Sequence, residues 1–152
     1  MPNIVLKVPS GSFSPAARSA LVQKVNEAAA AAERIPADPR KRSLCWVVVE
    51  EVAQGLWTCG AADITAQVLP CIAIVYVPAG VLDATARSSY VQAIHGAFKD
   101  AALLDDRRAL ATSVILQEVD DGAWGVNGAI WTLPTFARVA GFEHLQHLVA
   151  AQ

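Results

Sequence analysis

Residue 2 is a proline, followed by Asn3-Ile4-Val5-Leu6-Lys7-Val8, a run that reads as a first β-strand. A small residue behind an initiator methionine favours removal of that methionine. Removal would leave a secondary amine, a group that no side chain supplies. Ordinary α-amino groups titrate near pH 7.7–8.0, and an apolar pocket lowers the value because it penalises the ammonium form. A proline nitrogen is intrinsically more basic, but once desolvated it would be a free base at neutral pH, suited to proton abstraction. With Met1 retained, the same nitrogen is an amide and has no such chemistry.

The other reactive side chains form no familiar constellation. Cys45, Cys59 and Cys71 contain no Cys-x-x-Cys pair and leave one cysteine over, which fits a reduced, cytoplasmic setting; Cys45 and Cys71 sit in apolar runs and read as core. His144 and His147 share a helical face without a third ligand at metal-binding spacing, so no metal site is expected. Arg40-Lys41-Arg42 and Arg107-Arg108 read as solvated loop charge. The net charge of −2 offers no basic face for nucleic acid. The start lacks the basic and apolar regions of a signal peptide, and no apolar run reaches the ~18–20 residues of a membrane span. At 152 residues the chain is long enough for a single domain with a substantial core, and its 54 % apolar content hints at surface buried between subunits.

The elements that must position Pro2 follow in order. Ser14-Pro15 reads as an N-cap with proline at the first helical position, opening a helix from Ala16 to Glu33. The run from Ser43 to Val52 is too apolar for a one-sided strand and reads as one covered on both faces. Cys71 to Val77 is a further strand, Asp83 caps a second helix over Ala84 to Leu103, and Thr112 to Leu116 is the next strand. The second set repeats the first. Val8–Ala28 against Val77–Ala97 gives nine identities in 21 positions: Val8, Pro9, Gly11, Ala17, Arg18, Ser19, Val22, Gln23 and Ala28. Glu51-Val52-Ala53-Gln54-Gly55-Leu56-Trp57 likewise matches Glu118-Val119-Asp120-Asp121-Gly122-Ala123-Trp124.

The chain thus reads as a duplicated β-α-β unit, 2–66 and 71–133, with a helical segment over 134–150. Phe136, Val139, Phe142, Leu145 and Leu148 give that segment, opened by Pro134 and interrupted by Gly141, an apolar stripe. Each crossover returns its second strand parallel to the first. The expected architecture is α/β (α+β), a four-stranded sheet with two helices on one face. The opposite face needs cover, for which a ring of three subunits is the expected arrangement.

Pro2 at the head of a strand, the Pro9–Gly11 turn, the helix opened by Ser14-Pro15, and Glu51-Val52-Ala53-Gln54-Gly55 with Trp57 together resemble the tautomerase superfamily. The Glu51 stretch is similar to the glutamate–glycine–aromatic segment of 4-oxalocrotonate tautomerase. The two-unit layout resembles the cis-3-chloroacrylic acid dehalogenase and malonate semialdehyde decarboxylase groups. The resemblance implies a MIF-like fold, a homotrimer, no cofactor, and a small-molecule carbonyl substrate whose proton is moved by Pro2. It also implies an aromatic wall at Trp57 and Trp124, and puts Glu118 where the dehalogenases keep a water-activating glutamate. The family's substrate-clamping arginines align instead with Ser12 and Trp46 in the first unit and with Val81 and Ser113 in the second. Lys7 is then a candidate for the missing positive charge. Bidentate arginine is hard to replace by serine, so a dicarboxylate substrate is not expected. Hydration, dehalogenation or decarboxylation with a protonated Pro2, or a tautomerase fold that only binds, are the alternatives.

Overall fold

The structure is a computed structural model and describes residues 1–102 and 106–150; Leu103, the end expected for the second helix, lies outside the described residues. Strand β1 (Asn3–Pro9) turns into helix α1 (Pro15–Ala32), and a single turn α2 (Pro39–Arg42) precedes β2 (Trp46–Val52). The second unit is β3 (Val68–Pro78), α3 (Ala84–Ala101) and β4 (Ala109–Val119). A hairpin of β5 (Trp124–Val126) and β6 (Ala129–Trp131) follows, then α4 (Leu133–Ala140), a 3-10 turn at Glu143–Leu145, and α5 (His147–Ala150).

The repeat holds down to its hydrogen bonds. Ser14 accepts from the Ala17 amide at 3.1 Å and Asp83 from the Ala86 amide at 2.7 Å, so each 18-residue helix starts from an equivalent cap. Gly11 and Gly80 hold φ of 76° and 87° in the equivalent turns, a conformation that glycine reaches without steric cost. The strand order is β2-β1-β3-β4: β1 and β2 are parallel, β3 and β4 are parallel, and β1 meets β3 antiparallel. The two units are therefore joined head to tail across the middle of the sheet. Each unit's first strand begins at the end where the other unit's strands finish.

Ile4, Leu6, Val8, Ala73, Val75 and Val77 point to the helices and pack with Leu21, Val25, Tyr90, Ile94 and Phe98 in one core. The other face of the sheet is left largely open by the described residues. Trp46, Val48 and Ile115 stand on it 64 %, 50 % and 45 % exposed. Strand β2, expected to be covered on both faces, is an edge strand with one bare apolar face. Its apolarity has no explanation inside a single chain. The C-terminal helix expected from Pro134 is broken where Gly141 takes φ 71°, which stops α4 and lets Phe142, like Phe136, be buried in the core.

Candidate active site

Met1 and Pro2 extend β1 beyond its last paired residue. The Pro2 carbonyl accepts the Trp46 amide at 3.1 Å, which fixes the terminus against the start of β2. Beside it lies a cavity of about 250 Å³ lined by Met1, Asn3, Leu44, Trp46, Trp124 and Trp131, with the β5–β6 turn closing one side. That turn is Asn127-Gly128, with φ of 51° and 80°, the left-handed pair that a tight hairpin uses. It pairs Trp124 with Trp131, and both indoles pack edge-on against Phe136, at 5.4 and 5.2 Å between ring centres. Helix α4 therefore anchors the aromatic wall. Within the cavity lining the Asn3 Oδ1 is buried without a hydrogen-bond partner, and no lining side chain is charged.

On the core side, the Met1 amine donates to Glu33 Oε2 at 2.6 Å, and Glu33 is 0 % exposed. Glu33 reaches this place because α1 ends there in a Schellman turn. The Ile35 amide bonds the Ala30 carbonyl at 2.9 Å and the Arg34 amide the Ala31 carbonyl at 3.3 Å, with Arg34 at φ 52°. Burial pushes the Glu33 carboxyl up and the terminal amine pulls it down, burial being the larger effect. Burial also pushes the Cys45 and Cys71 thiols up to about 12, so neither is a thiolate nucleophile at neutral pH.

Of the residues singled out in the sequence, Lys7 and Trp57 line a common shallow cavity, while Trp124 and the amino terminus lie elsewhere. Trp124 lines the cavity beside Met1. Trp57 lies at the opposite end of the sheet, in a cavity of about 390 Å³ with Pro9, Ser10, Asp63, Thr65 and Arg108. The length of β1, roughly 3.3 Å per residue over seven residues, separates the two. Ser12 belongs to that far end and is buried. Arg108 Nη2 donates to Ser12 Oγ at 3.3 Å and to Asp106 at 2.7 Å, so a guanidinium stands next to the position that lacks the family arginine. Lys7 forms an ion pair with Glu50 across β1 and β2. Ser113 is exposed on the uncovered sheet face. Glu118 shares the Pro2 end of the sheet, but Arg87 donates to it at 2.7 Å.

The sequence reading missed Trp131 and Glu33. Asn127-Gly128 is a local hairpin signal that would have placed Trp131 opposite Trp124. Glu33 carries no local signal: a glutamate closing an alanine-rich helix looks like a solvated end.

No protein-family model and no curated protein matches the sequence. Solved structures do match. A fused 4-OT described as a wild-type symmetric trimer superposes at TM-score 0.66 with 18 % identity, over 91 % of this chain and 98 % of that one. A wild-type asymmetric trimer of fused 4-OT superposes at 0.67 with 14 % identity, over 84 % and 94 %. Macrophage migration inhibitory factor from Toxoplasma gondii gives 0.61 with 15 % identity, over 85 % and 99 %. At these identities the likeness is one of fold. The chain carries a 4-OT/MIF-like tautomerase fold, a four-stranded sheet with its helices on one face.

Proposed function

We propose that the protein is a cofactor-independent tautomerase in which Pro2, freed by removal of Met1, moves a proton on a small enolisable carbonyl compound. The observation that carries this reading is the position of the chain's first residues between three indoles and a buried carboxylate, out of bulk water. The Pro2 nitrogen takes a proton from the substrate, from the carbon next to the carbonyl or from the enol oxygen. It becomes an ammonium, then returns that proton at the other end of the conjugated system. Asn3 Oδ1, otherwise unpartnered, accepts from an enol hydroxyl. Trp46, Trp124 and Trp131 present flat apolar walls and no lining side chain brings a cation, which favours an aromatic, weakly charged substrate over a diacid. Association as a homotrimer is part of the proposal: it would cover Trp46, Val48 and Ile115 on the open sheet face. Hydration directed by Glu118 is disfavoured, because that carboxylate is already engaged by Arg87.

The test has two steps. The intact mass of the purified chain is expected to lack one methionine residue. Ketonisation of phenylenolpyruvate, an aromatic enol, is then followed for wild type and Pro2→Ala, and a loss of about 10²–10⁴-fold in kcat is expected from removing the proton carrier. Equal rates would remove the proline mechanism.

A further inference from the structure

Glu33 is one of the places where the repeat is broken. Its counterpart at the end of α3 is Ala102, the residue in the same capping position, and the counterpart of Pro2 is the internal Cys71. Among the places where the first unit departs from the second are its amino terminus and its helix end. Those two places meet at 2.6 Å. A fully buried carboxylate is expensive to keep, and an apolar residue of similar size would stabilise the core better unless the charge has a task.

We propose that Glu33 is the dedicated counter-ion of the amino terminus, raising the proton affinity of the Pro2 amine once Met1 is gone; this rests on reading Pro2 as the proton carrier. Loss of Met1 shifts the terminal nitrogen by one residue, about 3.8 Å at most. Pro2 itself stays pinned by the Trp46 amide. The new amine is then within reach of Glu33 directly, by a side-chain rotation, or through one bridging water. The other Glu33 oxygen, Oε1, is buried and unpartnered, so a second donor site is open on the same carboxylate.

The surroundings leave the terminus as the natural partner. Cys45 at the head of β2 and Tyr90 on α3 are the titratable groups that face Glu33, and burial keeps both protonated and neutral. Neighbouring Arg34 is directed outward, with Nη2 3.8 Å from Asp83. Among the described residues, the terminal amine is the charged group that pulls on Glu33. The amino terminus thus stands between the tryptophan-lined cavity and the Glu33 carboxylate. When Pro2 takes the substrate's proton, the resulting ammonium donates to Glu33. This is a positioning role, because Glu33 need not touch the substrate.

The experiment compares wild type, Glu33→Gln and Glu33→Asp, with circular dichroism confirming that each is folded. The rate of reductive methylation of the terminal amine is measured against pH, with the modified residue located by mass spectrometry. Glu33→Gln is expected to lower the midpoint by about 1 pH unit or more, the shift that an opposite charge at ~4–6 Å gives. Glu33→Asp should recover part of it. In phenylenolpyruvate ketonisation, the acid limb of the pH–rate profile should move the same way, with kcat reduced about tenfold and KM little changed. A methylation midpoint unmoved by Glu33→Gln overturns the inference. If Pro2→Ala keeps full activity while Glu33→Gln still shifts the midpoint, the proline mechanism falls and the counter-ion stands.

Discussion

The two ends of the sheet are built alike and do different things. At each, the first strand of one unit begins where the other unit's second strand finishes, so each unit's tryptophan serves its partner's strand. Trp124 of the second unit stands at the Pro2 end. Trp57 of the first stands at the end where Cys71 enters β3. Each end also holds one largely buried ion pair: the terminal amine with Glu33, and Arg108 with Asp106. The difference is that the first end contains the amino terminus. The Cys71 nitrogen is an amide, and Arg108 is a permanent cation satisfied by Asp106, Thr65 and Ser12. Duplication supplies two scaffolds, and on the function proposed above it is the free amine that would set the first apart.

The largest effect that separates the ends is expected from their tryptophans. Trp124→Ala removes an indole that both lines the Pro2 cavity and packs on Phe136. Its cost in stability should fall below the ~3–5 kcal/mol of a fully buried Trp→Ala change, because Trp124 is half-buried. It should lower kcat/KM for phenylenolpyruvate by about tenfold or more through rehydration of the amine. Trp57→Ala should leave kcat/KM within about threefold, since the residue is a β1 length away. Steady-state kinetics on the two variants checks this. A larger loss for Trp57→Ala would mean that a neighbouring subunit brings the far end to the Pro2 cavity.

What could be read from the sequence and what could not divides along the range of the interactions. The caps at Ser14 and Asp83, the turns at Gly11 and Gly80, and the doubled strands are set within a few residues of each other, and the repeat makes each visible twice. From these the four-stranded sheet with two helices on one face follows. The site depends on contacts that local pattern does not encode. Arg108 meets Ser12 across 96 residues, and Glu33 meets Met1 across 32. Glu33 is polar in sequence and wholly buried in the fold, so patterning assigns it to solvent. Trp57 and Trp124 occupy equivalent places in the repeat, yet the crossed topology sends them to opposite ends. Only the strand order reveals that.

The Arg108–Asp106 pair gives the far end its own signature against pH. Hydrogen bonds from Arg108 hold the Asp106 carboxyl below its usual range. A carboxylate depressed in the folded state stabilises the fold above its unfolded value, about 3.9, and that contribution is lost as pH falls through the lower folded value. Thermal unfolding between pH 2 and 7 should therefore show wild type losing Tm below about pH 4. Arg108→Met should be less stable at neutral pH by about 1–3 kcal/mol, the cost of leaving a largely buried carboxylate without its donors. It should also show a smaller fall on acidification. Activity at the Pro2 end should be little affected. A large fall in activity for Arg108→Met would assign this guanidinium to the substrate.

The smallest expected effect bears most directly on whether Glu118 takes part in the chemistry. Glu118 is bound by Arg87 at 2.7 Å, and its counterpart Glu51 is approached by Arg18, the counterpart of Arg87, at 3.4 Å. The same strand-to-helix tie therefore occurs in both units, including the far end, where no terminal amine exists. A feature shared by both ends is explained by the scaffold alone. Both pairs are about a third to a half exposed, where such bridges contribute roughly 0–1 kcal/mol. Glu118→Gln and Glu51→Gln should thus lower stability by similar amounts within that range, measured by urea unfolding, and each should keep ketonisation within about twofold of wild type. Loss of activity in Glu118→Gln alone, with Glu51→Gln unaffected, would make Glu118 part of the machinery and turn the reading toward water addition.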